Sequence, residues 1–267
     1  MCLLAIAWRC HPRHDLVFVG NRDEFYERPT QAAAWWQAGE RAMFGGRDLL
    51  AGGTWLGIRR DGAFATVTNV REPNARRAGA RSRGHLITSV LRAEDGLSTL
   101  ATLRDDGEHY AHYNLLAGTF SPSPRLAYLN NVEGELHQDL PAGVYVLSNH
   151  RLDTPWPKAE RIRQAVQRLV DEPSAAGDDQ RLIDALLTIM SDRHAAPDDA
   201  LPATGLPLDR ERALSSPFIE TQGYGTRATT VILASAGGDA HFVEQSFGPG
   251  GQVGERVDER FALDPKA

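Results

Sequence analysis

Short apolar stretches, separated by turn residues, mark both ends of the chain, and helical spacings occupy parts of its middle. Cys2–Arg9 and Leu16–Asn21 are β-prone, and His11-Pro12-Arg13-His14-Asp15 between them is rich in turn formers. This predicts a β-hairpin whose first strand opens the chain. Such pairing ties an amino-terminal residue into a sheet instead of leaving it to fray. Four polar residues, Asn21-Arg22-Asp23-Glu24, close the second strand, and residues 27–50 read as loop. Gly52–Ile58 and Ala63–Val70 flank an Asp61-Gly62 turn and predict a second hairpin, which delivers Asn69 at its end.

Further on, Leu86, Ile87, Val90 and Leu91 fall on one face of a helix over Ser82–Ala93, with Ser82 as N-cap. A short helix is expected around Leu97–Arg104, then strands near Tyr113–Phe120, Arg125–Asn130 and Gly143–Ser148. Pro157–Val170 reads as an amphipathic helix. Ile162, Val166 and Leu169 turn inward, and Lys158, Glu160, Arg161, Arg163 and Arg168 face water. Arg181–Ser191 repeats that pattern after a loop at 173–179. Residues 193–217, with four prolines, read as a long surface excursion. Gly225–Ala234 and Asp239–Phe247 form a closing hairpin around Gly237-Gly238, and a loosely held tail follows from about residue 248. No linker divides the chain, so residues 1–267 are expected to form one domain. Strands and helices segregate into blocks, which favours an α+β fold of two antiparallel sheets stacked between helical layers.

Composition narrows the function. The 267 residues are 42% hydrophobic with a net charge of -6, which supports a sizeable core and argues against nucleic-acid binding. Arginines cluster at 71, 76, 77, 81 and 83. That cluster reads as a solvated loop, with recognition of an anionic ligand as the alternative. No apolar run reaches the ~18–20 residues of a membrane span. The start of the chain lacks the features of a secretion signal or mitochondrial presequence, so a cytoplasmic location is expected. Cys2 and Cys10 are the two cysteines, and a strand keeps them too far apart to bridge. The histidine pairs 11/14 and 109/112 lack a recognised ligand set, and no phosphate loop occurs. No metal and no cofactor is expected.

Candidate chemistry begins at Cys2. Once Met1 is removed, this residue carries both a thiol and a free α-amine. The thiol can attack while the amine takes its proton. The two groups titrate near ~8.5 and ~7.7–8.0, close to working pH. Taken without other motifs, Cys2 reads as a small buried hydrophobe, and Asn69 and Asn149 as strand-end turn residues.

Several motifs in order alter that balance: Met1-Cys2, Asn21-Arg22-Asp23-Glu24-Phe25, Gly53-Thr54-Trp55-Leu56-Gly57, Thr68-Asn69, Ser82-Arg83-Gly84, Leu147-Ser148-Asn149 and Tyr224-Gly225-Thr226-Arg227. Together they resemble the NRDE family, also called the transport-and-Golgi-organisation family. That family is similar in turn to N-terminal-nucleophile (Ntn) hydrolases of the choloylglycine and penicillin-acylase type. The resemblance implies a four-layer αββα sandwich and an amidohydrolase acting on an acyl-amide, with Cys2 as nucleophile. It places Asn69 and Asn149 at the oxyanion and the amine, and Arg227 near the nucleophile. Those hydrolases carry an arginine, two residues and then an aspartate, whereas this chain reads Asn21-Arg22-Asp23-Glu24; the acid that binds the amine falls on Asp23 or Glu24, and Asn21 falls at the arginine's position. The resemblance also implies an alternative on the same fold: a non-catalytic carrier with a large apolar pocket beside Cys2 for haem or acyl lipid. Substrate and oligomeric state stay open.

Overall fold

The computed structural model describes residues 2–71, 81–120, 123–172, 178–235 and 238–264. Two seven-stranded antiparallel sheets lie face to face. The first has the order β10 (Gly143–Leu147), β1 (Cys2–Trp8), β2 (Leu16–Phe25), β12 (Tyr224–Ala234), β13 (Asp239–Phe247), β14 (Val253–Ala262), with the short β11 (Glu220–Thr221) attached to β12. The second runs β3 (Thr30–Ala38), β4 (Arg41–Asp48), β5 (Leu56–Ile58), β6 (Phe64–Asn69), β7 (Tyr113–Thr119), β8 (Arg125–Asn130), β9 (Leu136–His137).

Strand alternation sorts the side chains. Leu4, Ile6, Trp8 and Phe18 point between the sheets and meet Phe44, Leu56, Phe64 and Leu116 from the other one. Leu3, Ala5, Ala7, Val17 and Val19 point the opposite way. They pack on α3 (Pro157–Asp171) and α4 (Asp179–Met190) through Ile162, Val166, Leu182 and Leu186. On the far side, α1 (Gly84–Arg92) and α2 (Leu100–Asp105) cover the second sheet with Leu86, Ile87, Val90, Leu91 and Leu103. The layers are therefore α-β-β-α, each apolar face closed by a neighbour at ~1.5–3 kcal/mol per fully buried large side chain. Among the described residues no helix is long and apolar enough to cross a membrane.

Several elements differ from the sequence reading. Residues 27–50 are not loop: β3 and β4 form a hairpin that edges the second sheet. The second strand does not stop at Asn21 but runs to Phe25, carrying all four polar residues inside the sheet. Arg83, not Ser82, occupies the N-cap position of α1, while Ser82 Oγ accepts from Gly84 N at 3.3 Å. The polar stretch after Gly248 holds β14, paired along β13, rather than a loose tail. The 193–217 excursion includes α5 (Leu208–Ala213), and Glu211, Leu214, Ser215 and Ser216 in it are buried. Lys158 does not face water; it is 2% exposed beneath the first sheet. Arg76 and Arg77, the 173–177 part of the expected loop and Gly237 of the closing turn lie outside the described residues.

Candidate active site

β1 lies between β10 and β2, so Cys2 is held by an interior strand. Its Cα partner on β2 is Arg22. Both share the inter-sheet face with Leu4 and Phe18. The Arg22 guanidinium stacks over the Trp55 ring at 4.2 Å and donates from Nη1 to Thr30 Oγ1 at 3.3 Å. A cavity of about 330 Å³ opens here, and Cys2, Arg22, Asn69, Trp55 and Arg83 are among its walls. Its ionic walls also include Asp23, Glu24, Arg28, Asp48 and Arg81. An apolar pocket by Cys2 also exists, against Leu4, Phe18, Leu56 and Val67, but it measures only about 20 Å³. Of the two, the larger cavity carries ionic walls and the apolar pocket is small.

Burial pushes the Cys2 thiol up, and Asp23 adds to the rise. Arg22 and a main-chain hydrogen bond from Asp23 pull it down by favouring the thiolate. Thus the sulfur sits on the border of solvent exclusion, with a cation and an N–H to stabilise its charged form.

The register of β2 separates the four polar residues. Asn21 points to the helical side. Its Nδ2 donates to the Met190 and Pro217 carbonyls, both at 2.9 Å, and its Oδ1 accepts from Thr229 Oγ1 at 2.6 Å. Arg22, not Asn21, stands beside the thiol. Asp23 is buried, and its Oδ1 accepts from Thr226 Oγ1 at 2.7 Å. Burial raises its pKa, while nearby Lys158, the Thr226 hydrogen bond and Arg22 lower it. Glu24 is half-buried at the cavity, where its Oε1 accepts from Phe25 N and Oε2 lies 3.7 Å from Arg28 Nε.

Asn69 and Asn149 meet across the two sheets. Asn149, fully buried after β10, donates from Nδ2 to Asn69 O at 3.2 Å and Asn69 Oδ1 at 3.1 Å. Asn69 faces the cavity, with its Oδ1 taken and its Nδ2 as its donor. The Oδ1 of Asn149 is buried with no hydrogen-bond partner among the described residues.

Arg227 occupies a β-bulge between Thr226 and Ala228. Its Nη1 donates to the carbonyls of Phe25, Tyr26 and Arg28 at 2.9–3.2 Å. It clamps the turn after β2, and its charge acts on Arg22, the strand partner of Cys2.

Two site residues escape the candidate set drawn from sequence. Arg83 enters the cavity from the start of α1, donating to the His112 carbonyl at 3.2 Å. Its place follows from a close approach of two glycines. A Cβ on Gly53 would lie 2.6 Å from the Gly84 backbone, so the Gly53-Thr54-Trp55 and Ser82-Arg83-Gly84 motifs are in direct contact. Lys158 donates to the Leu214 carbonyl at 2.9 Å, and burial lowers its pKa to about 8. An inward lysine at the first turn of an amphipathic helix is hard to tell from an outward one, because the signal is one position wide. Among the described residues no cluster of three or more His, Cys, Asp or Glu could hold a metal.

The family model "Transport and Golgi organisation 2" matches residues 1–249. The chain is 33% identical over 267 aligned residues to the Transport and Golgi organization protein 2 homolog of Bos taurus, covering 92% of this chain and 93% of that one. It is 27% identical to Transport and Golgi organization protein 2 of Drosophila melanogaster, with 92% of each covered. Among solved structures it is similar to a mutant conjugated bile acid hydrolase from Clostridium perfringens. That match has a TM-score of 0.46 and 8% identity, covering 99% of this chain and 98% of that one.

Proposed function

This chain belongs to the Transport and Golgi organisation 2 family, and we propose that it is an amidohydrolase with Cys2 as its amino-terminal nucleophile. The observation that carries the reading is the placement of Cys2. An interior strand holds its sulfur at a polar cavity, opposite Arg22 and within the same walls as Asn69.

With Met1 removed, the Cys2 α-amine takes the thiol proton, and Arg22 and the Asp23 N–H stabilise the thiolate. The sulfur attacks the amide carbonyl, and the resulting oxyanion is held by Asn69 Nδ2. Asn149 positions this donor by binding Asn69 Oδ1. The α-ammonium then gives its proton to the leaving nitrogen, the C–N bond breaks, and a thioester remains. Water, deprotonated by the same amine, attacks the thioester and restores the thiol. Asp23, rather than Glu24, steadies the amine, since Glu24 is engaged with Phe25 N and Arg28. Arg227 and Asn21 act as positioning residues for the polypeptide around the site.

The test is acyl-amide profiling of protein whose Met1 has been removed, as verified by intact mass, beside a Cys2→Ala control. Release of amine by the wild type alone supports the reading. Turnover by protein that retains Met1, or by Cys2→Ala, overturns it.

A further inference from the structure

Asn69 sits between two ties that join the end of β6 to the segment after β10. On one side Thr68 Oγ1 donates to the Ser148 carbonyl at 3.0 Å, and Asn114 Nδ2 donates to that hydroxyl at 3.1 Å. On the other side the main-chain N–H of Arg71 donates to the Asn149 carbonyl at 2.7 Å. The first tie is fastened from β7, within the second sheet. The second is fastened from α5, far along the chain: Arg71 Nη1 donates to Glu211 Oε2 at 2.7 Å, and the guanidinium lies 4.9 Å over the Trp156 ring.

This ion pair is withdrawn from solvent, with Glu211 4% and Arg71 6% exposed. The other carboxylate oxygen, Oε1, accepts from Thr204 N at 3.0 Å and from the Thr204 hydroxyl. The end of α5 is held as well, since Lys158 Nζ donates to the Leu214 carbonyl at 2.9 Å. Glu211 is therefore fixed at both oxygens on a helix that is itself anchored. Burial disfavours the Arg71 cation, and Glu211 acts to restore it. An ion pair buried this deeply adds little net stability over apolar residues of the same volume. Its geometry is the more informative part.

We infer that Glu211, acting through Arg71, is a positioning residue for the oxyanion donor Asn69. This rests on reading Asn69 Nδ2 as that donor and adds the device that aims it. Glu211 fixes Arg71, and the Arg71 N–H fixes Asn149. Asn149 Nδ2 in turn holds Asn69 by its carbonyl at 3.2 Å and its Oδ1 at 3.1 Å. Every link is a hydrogen bond of 3.2 Å or less. Glu211 is not among the walls of the cavity that holds Cys2, so it influences the chemistry only along this chain of contacts. A displacement of ~1 Å at a reacting group costs on the order of a hundredfold in rate. Part of the 193–217 excursion thus governs how the transition state is held.

Two reagents separate the oxyanion from the sulfur. p-Nitrophenyl acetate acetylates Cys2 through a tetrahedral oxyanion: the S–C bond forms, the C–O bond breaks and p-nitrophenolate leaves. Iodoacetamide alkylates the same sulfur by displacing iodide, and no oxyanion forms. The rate ratio of the first to the second is read by mass spectrometry on the amino-terminal peptide of protein freed of Met1. The acetylation seen in Cys2→Ala is subtracted, and the ratio is normalised to that of a peptide that begins with cysteine. The acetyl group counts whether it stays on sulfur or shifts to the α-amine. The expected wild-type ratio is about a hundredfold above one, the lower end of what an oxyanion donor contributes. Glu211→Gln should lower it about tenfold and leave the iodoacetamide rate near wild type. The paired variant Arg71→Met with Glu211→Met, which leaves neither charge buried without its partner, should fold and show the same fall. As a control, Leu103→Ala opens a cavity under the second sheet and lowers stability, and it should leave the ratio alone. Three results overturn the inference: a wild-type ratio near one, a ratio indifferent to both Glu211 variants in folded protein, or a parallel fall of both rates. The labelling requires no amide turnover, so the two readings fail separately. A ratio indifferent to Glu211 with intact amide cleavage removes the positioning role and spares the hydrolase. A high ratio that falls with Glu211→Gln, with no cleavage of any acyl-amide, supports the positioning role and removes the hydrolase.

Discussion

Asn21 and Arg22 adjoin in sequence and belong to different parts of the molecule. Asn21 faces the helices, where two main-chain carbonyls and a threonine hydroxyl consume its amide. Arg22 faces the other sheet, stacked on an indole at the edge of a cavity that also holds Cys2. Glu24 repeats the second environment, and Asp23 belongs to both: Thr226 takes its Oδ1, yet it also lines the cavity. One strand thus presents a sealed, internally satisfied polar face and an open, incompletely satisfied one. Polar groups that already have partners hold structure together, and those that lack them are free to meet a ligand.

The contrast can be broken at several points. On the open face, Cys2→Ala should reduce amide turnover more than about a thousandfold, since no neighbouring side chain replaces the nucleophile. Purified variant and wild type, compared by amine release, check this. On the sealed face, Asn21→Ala should lower stability by about 3 kcal/mol, at ~1 kcal/mol for each of three buried hydrogen bonds. Denaturant melts measure the loss, and the rate of Cys2 alkylation in the folded variant should stay near wild type.

Lys158 lies behind the sealed face and gives a pH signature. Burial holds it at about 8, against an ordinary 10.5. Between those values the unfolded chain binds a proton that the folded one does not, so folding is favoured as pH rises through the window. Wild type should therefore gain on Lys158→Met by about 3 kcal/mol from pH 8 to pH 10.5, and the difference should be flat below pH 8. Paired melts across pH 7–10 would refute this if the difference did not change.

Back on the open face, Arg22→Met should slow Cys2 alkylation about tenfold at pH 7. Removing the cation raises the thiol pKa and so lowers the thiolate fraction. The smallest effect belongs to Glu24→Gln, which should alter stability by less than about 0.5 kcal/mol because its contact with Arg28 is long and partly solvated. A larger loss in melts would place Glu24 among the structural residues.

The contrast itself was only half legible in the sequence. Hairpin strands and amphipathic helices announce themselves, and the layer order follows from them. The motif block placed Cys2, Arg22 and Asn69 in one candidate site. Four consecutive polar residues, however, look like a strand's end. The strand continues because Thr226, Thr229, Met190 and Pro217, some 170–210 residues away, satisfy Asn21 and Asp23. No local pattern carries that information, and without it the side each residue faces is undetermined. β3 was hidden because its alternation mixes alanines with adjacent tryptophans, and β14 because a charged edge strand buries little. The carbonyl contacts of Arg227 are hidden for a related reason: the bulge that holds it leaves no mark in composition.

The contact between Gly53 and Gly84 has a mechanical consequence. With backbone against backbone, the helix that follows Arg83 is seated too close to Gly53 for a side chain to fit between them. A single added methyl would act as a shim under that seat, tilting the helix outward and widening the gap between arginine and sulfur. The reach from one side of the chamber to the other is fixed by atoms that are missing.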